Sequence, residues 1–287
     1  MRIVTDCAAD LTPEEIEAND ITVAPLFINF PDGEINSMDL SPDEFYTRLE
    51  RMFPQIPTTS QPSAGIFKEI YQKIGEAGEE VISIHISSGL SGTLQSARTG
   101  ASQLAGSMVH TFDSLTLSGG ERFQVLGAVK GIKAGWNKEA ILERLQQIQD
   151  KVEVVFTLET LTYLAKGGRI GRVQALAGSL LNLKPIIHVD KKDGKYSTAG
   201  KVRTLRRALD SIADYLFNIY GSEMPLWISV MHGQFSEHAN ELAELLRTRL
   251  KVSRLEILRI SPVLGVHTGP GVVGVAAVPL HLLEGIV

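Results

Sequence analysis

Residues 81–102, VISIHISSGLSGTLQSARTGAS, carry a short apolar run into a turn of serines and glycines and straight on into a helical pattern. A strand that feeds a helix pairs with a parallel neighbour reached by a crossover, not with a hairpin partner. The first half repeats this unit. RIVTD leads to DLTPEEIEAND, where Thr12, Pro13 and Glu15 form a capping signature, and MVHTFDS leads to the helical TLSGGERFQVLGAVKGIKAG. ITVAPLFINF reads as a further strand, SPDEFYTRLERM as a helix, and the segment after TTSQPSAG as another. Alternating strands and helices of this kind specify a parallel sheet covered by helices.

The second half has another texture. VEVVFTLE and MPLWISVMHG read as strands, LTYLAKGG and QALAGSLLNL as short helices, and KPIIHVDKKDGKYSTAGKVR as a hairpin turning at Asp193-Gly194. A long helix from about Thr204 to Tyr220 and a second over SEHANELAELLRTRLK follow, and RLEILRISPVLGVHTGPGVVGVAAV reads as two strands around a glycine-rich turn. Hairpins mixed with crossovers imply a mixed sheet. The expected fold is α/β with two domains, a parallel-sheet unit over residues 1–152 and a mixed-sheet unit with helices over 153–287.

Composition excludes several classes. A net charge of −5 argues against general nucleic-acid binding, and no apolar run approaches the roughly 20 residues of a membrane span. MRIVTDCAADLT lacks the apolar core of a signal peptide, and the single cysteine, Cys7, fits a reducing, cytoplasmic setting. No Cys/His cluster has metal-ligand spacing, so neither a metal nor a cofactor is expected. Asp6, Asp10 and Asp113 end strands and are read as caps for helices and turns.

Two hydroxyl-rich segments share one design. Thr58, Thr59, Ser60 and Ser63 surround a helix start at Pro62, and Ser88, Ser91 and Thr93 surround another. Either alone is ordinary N-capping. Together, at strand ends on the carboxyl edge of a parallel sheet, they form a place where α/β sheets bind ligands. No GxxxxGK[ST] or GxGxxG loop is present. Hydroxyls and backbone N–H groups without a lysine suit a single carboxylate better than a polyphosphate, and leave its oxygen nucleophilic. His267, in GVHTGPG, is the histidine placed to join them, with His85 and His232 as competitors. Ser91 with His267 is the one conceivable hydrolase or acyl-transferase pair, but GLSGT is not a GxSxG elbow. Lys166, Arg169 and Arg172 in AKGGRIGR, and Lys201, Arg203, Arg206 and Arg207 in GKVRTLRR, concentrate positive charge that suits a phosphate or an acidic protein surface.

Taken in order, IVTDCAADLT, TTSQPSAG, ISSGLSGTLQSA, FDS, YLAKGGRIGR, LLNLKPII, GKVRTLRRAL and GVHTGPGVVGV resemble the segments of the DegV family, from residue 3 to the last strand. The resemblance implies a non-catalytic, two-domain protein whose ligand is a long-chain fatty acid. It further implies that the carboxylate is handed to a separate ATP-dependent fatty acid kinase subunit, whose acyl phosphate feeds phospholipid synthesis. Thr59, Ser91 and His267 fall on the carboxylate-holding positions, and Arg169, with Arg172 and Arg203, on the docking side. LAGSLLNL is a candidate lining for the acyl chain. Cys7 stands where the family often has serine. A lipid sensor without kinase coupling is the remaining alternative.

Overall fold

The computed structural model describes residues 1–106, 108–176 and 183–284. Its first unit runs β1 (Arg2–Asp6), α1 (Pro13–Ala18), β2 (Thr22–Ala24), β3 (Phe27–Phe30), β4 (Gly33–Asn36), α2 (Pro42–Met52) and β5 (Thr58–Ser60). It continues through α3 (Ala64–Glu76), β6 (Val81–His85), α4 (Thr93–Ser102), β7 (Val109–Asp113), α5 (Gly119–Lys133) and α6 (Lys138–Lys151). The capping signature of α1 is real: Glu15 N donates to Thr12 Oγ1 while Thr12 N donates to the Glu15 carboxylate.

The expected parallel sheet is present, in the order β2-β1-β6-β7 with every pair parallel. Adjacent residues of β1 point to opposite faces. Val4 packs with Phe67 and Tyr71 of α3 and Ala97 of α4, while Ile3 packs with Val125 and Val129 of α5 and Ile141 and Leu145 of α6. Helices therefore cover both faces.

One expectation changes here. ITVAPLFINF is two strands, not one, and they belong to different sheets. Pro25 lacks the N–H that would continue the ladder, so the chain leaves the parallel sheet after Ala24. It re-forms as β3, the centre of a small antiparallel sheet β4-β3-β5. Thr59 consequently sits on an antiparallel strand before the helix start, opposite Ile28, and not on the edge of the parallel sheet.

The second unit comprises β8 (Glu153–Leu158), α7 (Thr162–Lys166), β9 (Lys184–Asp190), β10 (Lys195–Val202), α8 (Leu205–Tyr220), β11 (Leu226–His232), α9 (Ser236–Arg249), β12 (Val252–Arg259), α10 (Pro262–Thr268) and β13 (Val272–Pro279). Its sheet is mixed, in the order β10-β9-β8-β13-β11-β12, with β11 and β12 parallel and the remaining pairs antiparallel. One face is closed by α8 and α9 through Leu209, Ile212, Leu242 and Leu246. The other meets α5 and α10 around Phe123, Trp227, Met231 and Leu264.

The segment expected as two strands around a glycine turn contains α10 between them, begun by Ser261-Pro262. Of QALAGSLLNL, residues 174–176 end a 3-10 turn that begins at Gly171. Residues 177–182, most of the segment proposed to line an acyl chain, lie outside the described residues. No helix among the described residues is long and apolar enough to cross a membrane.

Arg122 of α5 joins the two units. It is 2% exposed and donates through Nε and Nη2 to Glu15 at 2.8 and 2.5 Å, and through Nη1 to Ser229 at 2.8 Å and Glu256 at 2.6 Å. Every guanidinium nitrogen has an acceptor, which a charge this deeply buried requires.

Candidate functional site

His267 lies in the last turn of α10 and not in an open loop. Its Nε2 stands 2.8 Å from Thr59 Oγ1, a bond between α10 and the small antiparallel sheet. Its Nδ1 is buried without a hydrogen-bond partner among the described residues. That edge of the ring packs on Gly167, where an added Cβ would lie 2.2 Å from Nδ1. The glycine of KGGR is thus required by an intramolecular approach.

Burial, assisted by the positive charge of Arg169, pushes the His267 pKa down to about 4. The imidazole is therefore neutral near pH 7 and carries one ring proton. With that proton on Nε2, His267 donates to Thr59 and leaves the Thr59 hydroxyl hydrogen free to point outward. A carboxylate placed against Thr59 selects this tautomer, because it accepts and cannot donate.

Ser91 is built in a parallel way. Ser91 N donates to the Ser87 carbonyl at 3.0 Å, fixing the turn. Ser91 Oγ accepts from Thr93 N at 3.3 Å and lies 2.8 Å from Thr93 Oγ1. When the buried Thr93 hydroxyl donates to it, the Ser91 proton is left for an outside acceptor. Ser91 and His267 each bind another residue, so the structure holds no nucleophile–base hydrogen bond between them.

Two further contacts bring these pieces into one circuit. Gln61 lies against Gly92, where an added Cβ would be 3.0 Å from Nε2 of the Gln61 side chain. Arg169 is folded inward: Nε donates to the Leu90 carbonyl at 3.3 Å and Nη1 to the Gly167 carbonyl at 2.8 Å. Thr59, His267, Gly167, Arg169, Leu90-Ser91, Gly92 and Gln61 therefore follow one another around a closed path. The sequence reading missed Arg169 and Gly167 as parts of this site. The glycines of KGGR were the available signal, but the partner they admit belongs to the same chain.

The remaining candidates divide clearly. Arg172 is half-exposed and pairs with Asp190 at 2.8 Å and with Asp193, and Arg203 is exposed. His85 is fully buried, with Nδ1 3.0 Å from Asp6 and Nε2 2.7 Å from Ser83, whose hydroxyl meets Tyr71 at 2.8 Å. This Asp-His-Ser chain has no exposed end. His232 is also buried, and burial together with Arg259 holds its pKa below the usual histidine range. Asp6 and Asp113 accept backbone N–H bonds from Ala8, Ile86, Ser88 and Leu115, as strand-end aspartates do. Cys7 accepts from Leu26 N at 3.3 Å, and burial raises its thiol to about 12, so it is unreactive.

Beside α10 lies a small, almost wholly apolar cavity of ≈ 40 Å³. Leu117, Phe156, Tyr196, Met231, Leu264 and Thr268 line it, and Thr268 directly follows His267. That is far below the size of a small-molecule site, so an acyl chain enters here only if the lining side chains move apart. An apolar chamber next to a cluster of hydroxyl donors suits an amphiphile with one acidic end.

The model of the DegV family matches residues 1–280. The chain belongs to the DegV family. A DegV domain-containing protein of Deinococcus radiodurans is 37% identical over 277 residues, 96% of this chain and 95% of the relative. A DegV protein from Thermus thermophilus, whose solved structure concerns fatty acid binding, shares 31% identity with a TM-score of 0.90, covering 97% of this chain and 100% of that one. DegV of Bacillus subtilis, a fatty acid binding protein, shares 31% identity with a TM-score of 0.87 over 96% and 98% of the two chains. A stearic acid-binding protein from Eubacterium ventriosum shares 26% with a TM-score of 0.87 over 97% and 98%. The two-unit α/β architecture is that of solved DegV proteins.

Proposed function

We propose that this DegV protein binds a long-chain fatty acid and presents its carboxylate to a separate ATP-dependent kinase, which forms the acyl phosphate for phospholipid metabolism. Thr59, Ser91 and His267 hold the head group, and the apolar lining of the small cavity parts to take the chain. The observation that carries this reading is the 2.8 Å Thr59–His267 contact beside a small apolar cavity, where a neutral imidazole protonated at Nε2 would leave the Thr59 hydroxyl free to donate to a carboxylate. The fatty-acid-binding proteins among its structural relatives support the same ligand class.

The energetics divide between tail and head. Burying about 15 methylenes at roughly 0.8 kcal/mol each yields on the order of 12 kcal/mol before ordering costs. Each head-group hydrogen bond adds roughly 0.5–1.5 kcal/mol. The tail sets affinity, and the head site sets orientation. No residue of this chain acts as a nucleophile; the chain holds the acid so that its oxygen attacks a phosphoryl group supplied by the partner. The exposed Arg203, with Arg172 and Arg169 on the same basic segments, forms the docking side for that partner, and the Arg169 charge lies close to where the new phosphate would form.

Native mass spectrometry of the purified protein tests the ligand, and acyl phosphate formation with added fatty acid kinase and ATP tests the handover. A co-purifying or exchangeable fatty acid, and product formation abolished by Arg203→Ala, are expected. A protein that takes up no fatty acid, or that cleaves model esters in a Ser91-dependent manner, overturns the reading.

A further inference from the structure

We infer that the tip of the β9–β10 hairpin, with Asp193 and Gly194 as its contact residues, is a positioning strap for the turn that carries Ser91. The inference rests on the carboxylate-binding role proposed above and assigns part of that site's precision to the other half of the chain.

The contact joins a side-chain hydroxyl to a backbone carbonyl, with bare backbone on either side. Ser87 Oγ donates to the Gly194 carbonyl at 2.8 Å, and the same oxygen accepts from Gly89 N at 3.1 Å. Gly194 has a φ of +63°, and a Cβ there would stand 1.8 Å from Ser87 Oγ and 3.1 Å from Leu115 Cα. From the opposite side, a Cβ on Gly89 would stand 2.2 Å from the Asp193 carbonyl oxygen and 2.9 Å from Lys195 Cγ. Two glycines in turns that follow strands of different sheets thus meet across a gap that no side chain can enter.

Ser87 is the pivot of the turn. Its carbonyl accepts from both Leu90 N and Ser91 N at 3.0 Å, and its own N donates to the Thr116 carbonyl at 2.8 Å. Fixing the Ser87 hydroxyl therefore fixes the origin from which Ser91 is hung. The tip that does this is itself stiff. Gly194 N donates to the Asp190 carbonyl at 2.8 Å, Lys192 N to Asp190 Oδ1 at 3.0 Å, and Lys195 N to Asp193 Oδ1 at 3.3 Å. Arg172 closes it by pairing with both Asp190 and Asp193. Three residues earlier, Arg169 holds the Leu90 carbonyl. The KGGRIGR segment thus grips the Ser91 turn twice, directly through Arg169 and through the hairpin by way of Arg172.

The consequence is specific to the head group. A hydrogen bond weakens steeply with misplacement, whereas burial of an alkyl chain is non-directional. Moving the turn by a fraction of an ångström costs the carboxylate and leaves the tail unaffected.

The test compares palmitate with methyl palmitate, which keeps the tail and lacks the charged head, on the full chain and on Gly194→Ala. Gly200→Ala is the control, because a Cβ at that position of the same hairpin meets nothing within 4 Å. Ser87→Ala removes the strap's hydrogen bond without adding bulk and serves if Gly194→Ala does not fold. Both strap variants are expected to lose tenfold or more in palmitate affinity while methyl palmitate stays within twofold. The ¹³C signal of carboxyl-labelled palmitate should move towards that of the free acid, and Gly200→Ala should behave as wild type. An unchanged acid-over-ester preference, or equal loss of both ligands, overturns the strap. If the wild-type protein binds neither ligand, the functional reading fails by itself. Amide exchange then judges the strap: faster exchange at Leu90 and Ser91 in the variants supports it, and unchanged exchange overturns it.

Discussion

Thr59 Oγ1 and His267 Nε2 stand 2.8 Å apart although they are 208 positions apart in the chain. This bond fixes α10 to the small antiparallel sheet. Thr59→Val deprives a buried imidazole of its remaining partner, at a cost of about 1–3 kcal/mol. A melting temperature lowered by several degrees is expected, together with weaker fatty acid capture. Thr59→Ser, which restores the hydroxyl, should recover most of both in a thermal melt and a lipid-binding assay.

The same histidine gives a pH dependence with a defined sign. Its folded pKa of about 4 lies below the unfolded value of 6.5, so the native state favours the neutral ring. The associated stability is complete above pH 6.5 and is lost as the pH falls through 4, roughly 3 kcal/mol in all. Asp10 acts in the opposite sense. Burial raises its carboxyl from 3.8 to about 6, although it accepts from Ser118 Oγ and Ser261 N. Its contribution is present below pH 3.8 and is lost as the pH rises through 6. In urea titrations between pH 4.5 and 7.5, His267→Gln should remove the acid-side decline and Asp10→Asn the opposing slope.

Arg122 concentrates the coupling between the two units in a single side chain. Arg122→Met leaves Glu15 without its cation and Glu256 with only Arg254, 3.5 Å away, and a loss of about 3–5 kcal/mol is expected in chemical denaturation. Arg122→Lys should recover little of it, because one ammonium cannot reproduce a planar fork directed at two carboxylates and a hydroxyl.

Ala276 lines the apolar cavity on β13. On the proposed reading, Ala276→Leu fills space that an acyl chain would occupy. Each methylene denied burial costs about 0.8 kcal/mol, close to fourfold in affinity. The variant should prefer acids two or three carbons shorter than the wild type does, measured by competition across a chain-length series.

Much of this protein is readable along the chain. The capping box of α1, the strand-turn-helix units of the parallel sheet and the hairpin at Asp193-Gly194 follow from patterns within a few residues, and the structure contains them. The errors have local causes that local pattern did not resolve. Pro25 divides one apolar run between two sheets, and Ser261-Pro262 begins a helix where glycines suggested only a turn.

The sequence by itself determined most of the segments that become strands and helices, and that hydroxyls and glycines gather in particular turns, because periodicity and turn chemistry act over short stretches. Tertiary structure alone decided that Thr59 meets His267, that Arg169 folds back onto Leu90, and that Gly167, Gly89 and Gly194 face atoms a side chain would strike. Those contacts arise where separate sheets pack together. A close approach that depends on a missing Cβ leaves no periodic mark in the chain that makes it.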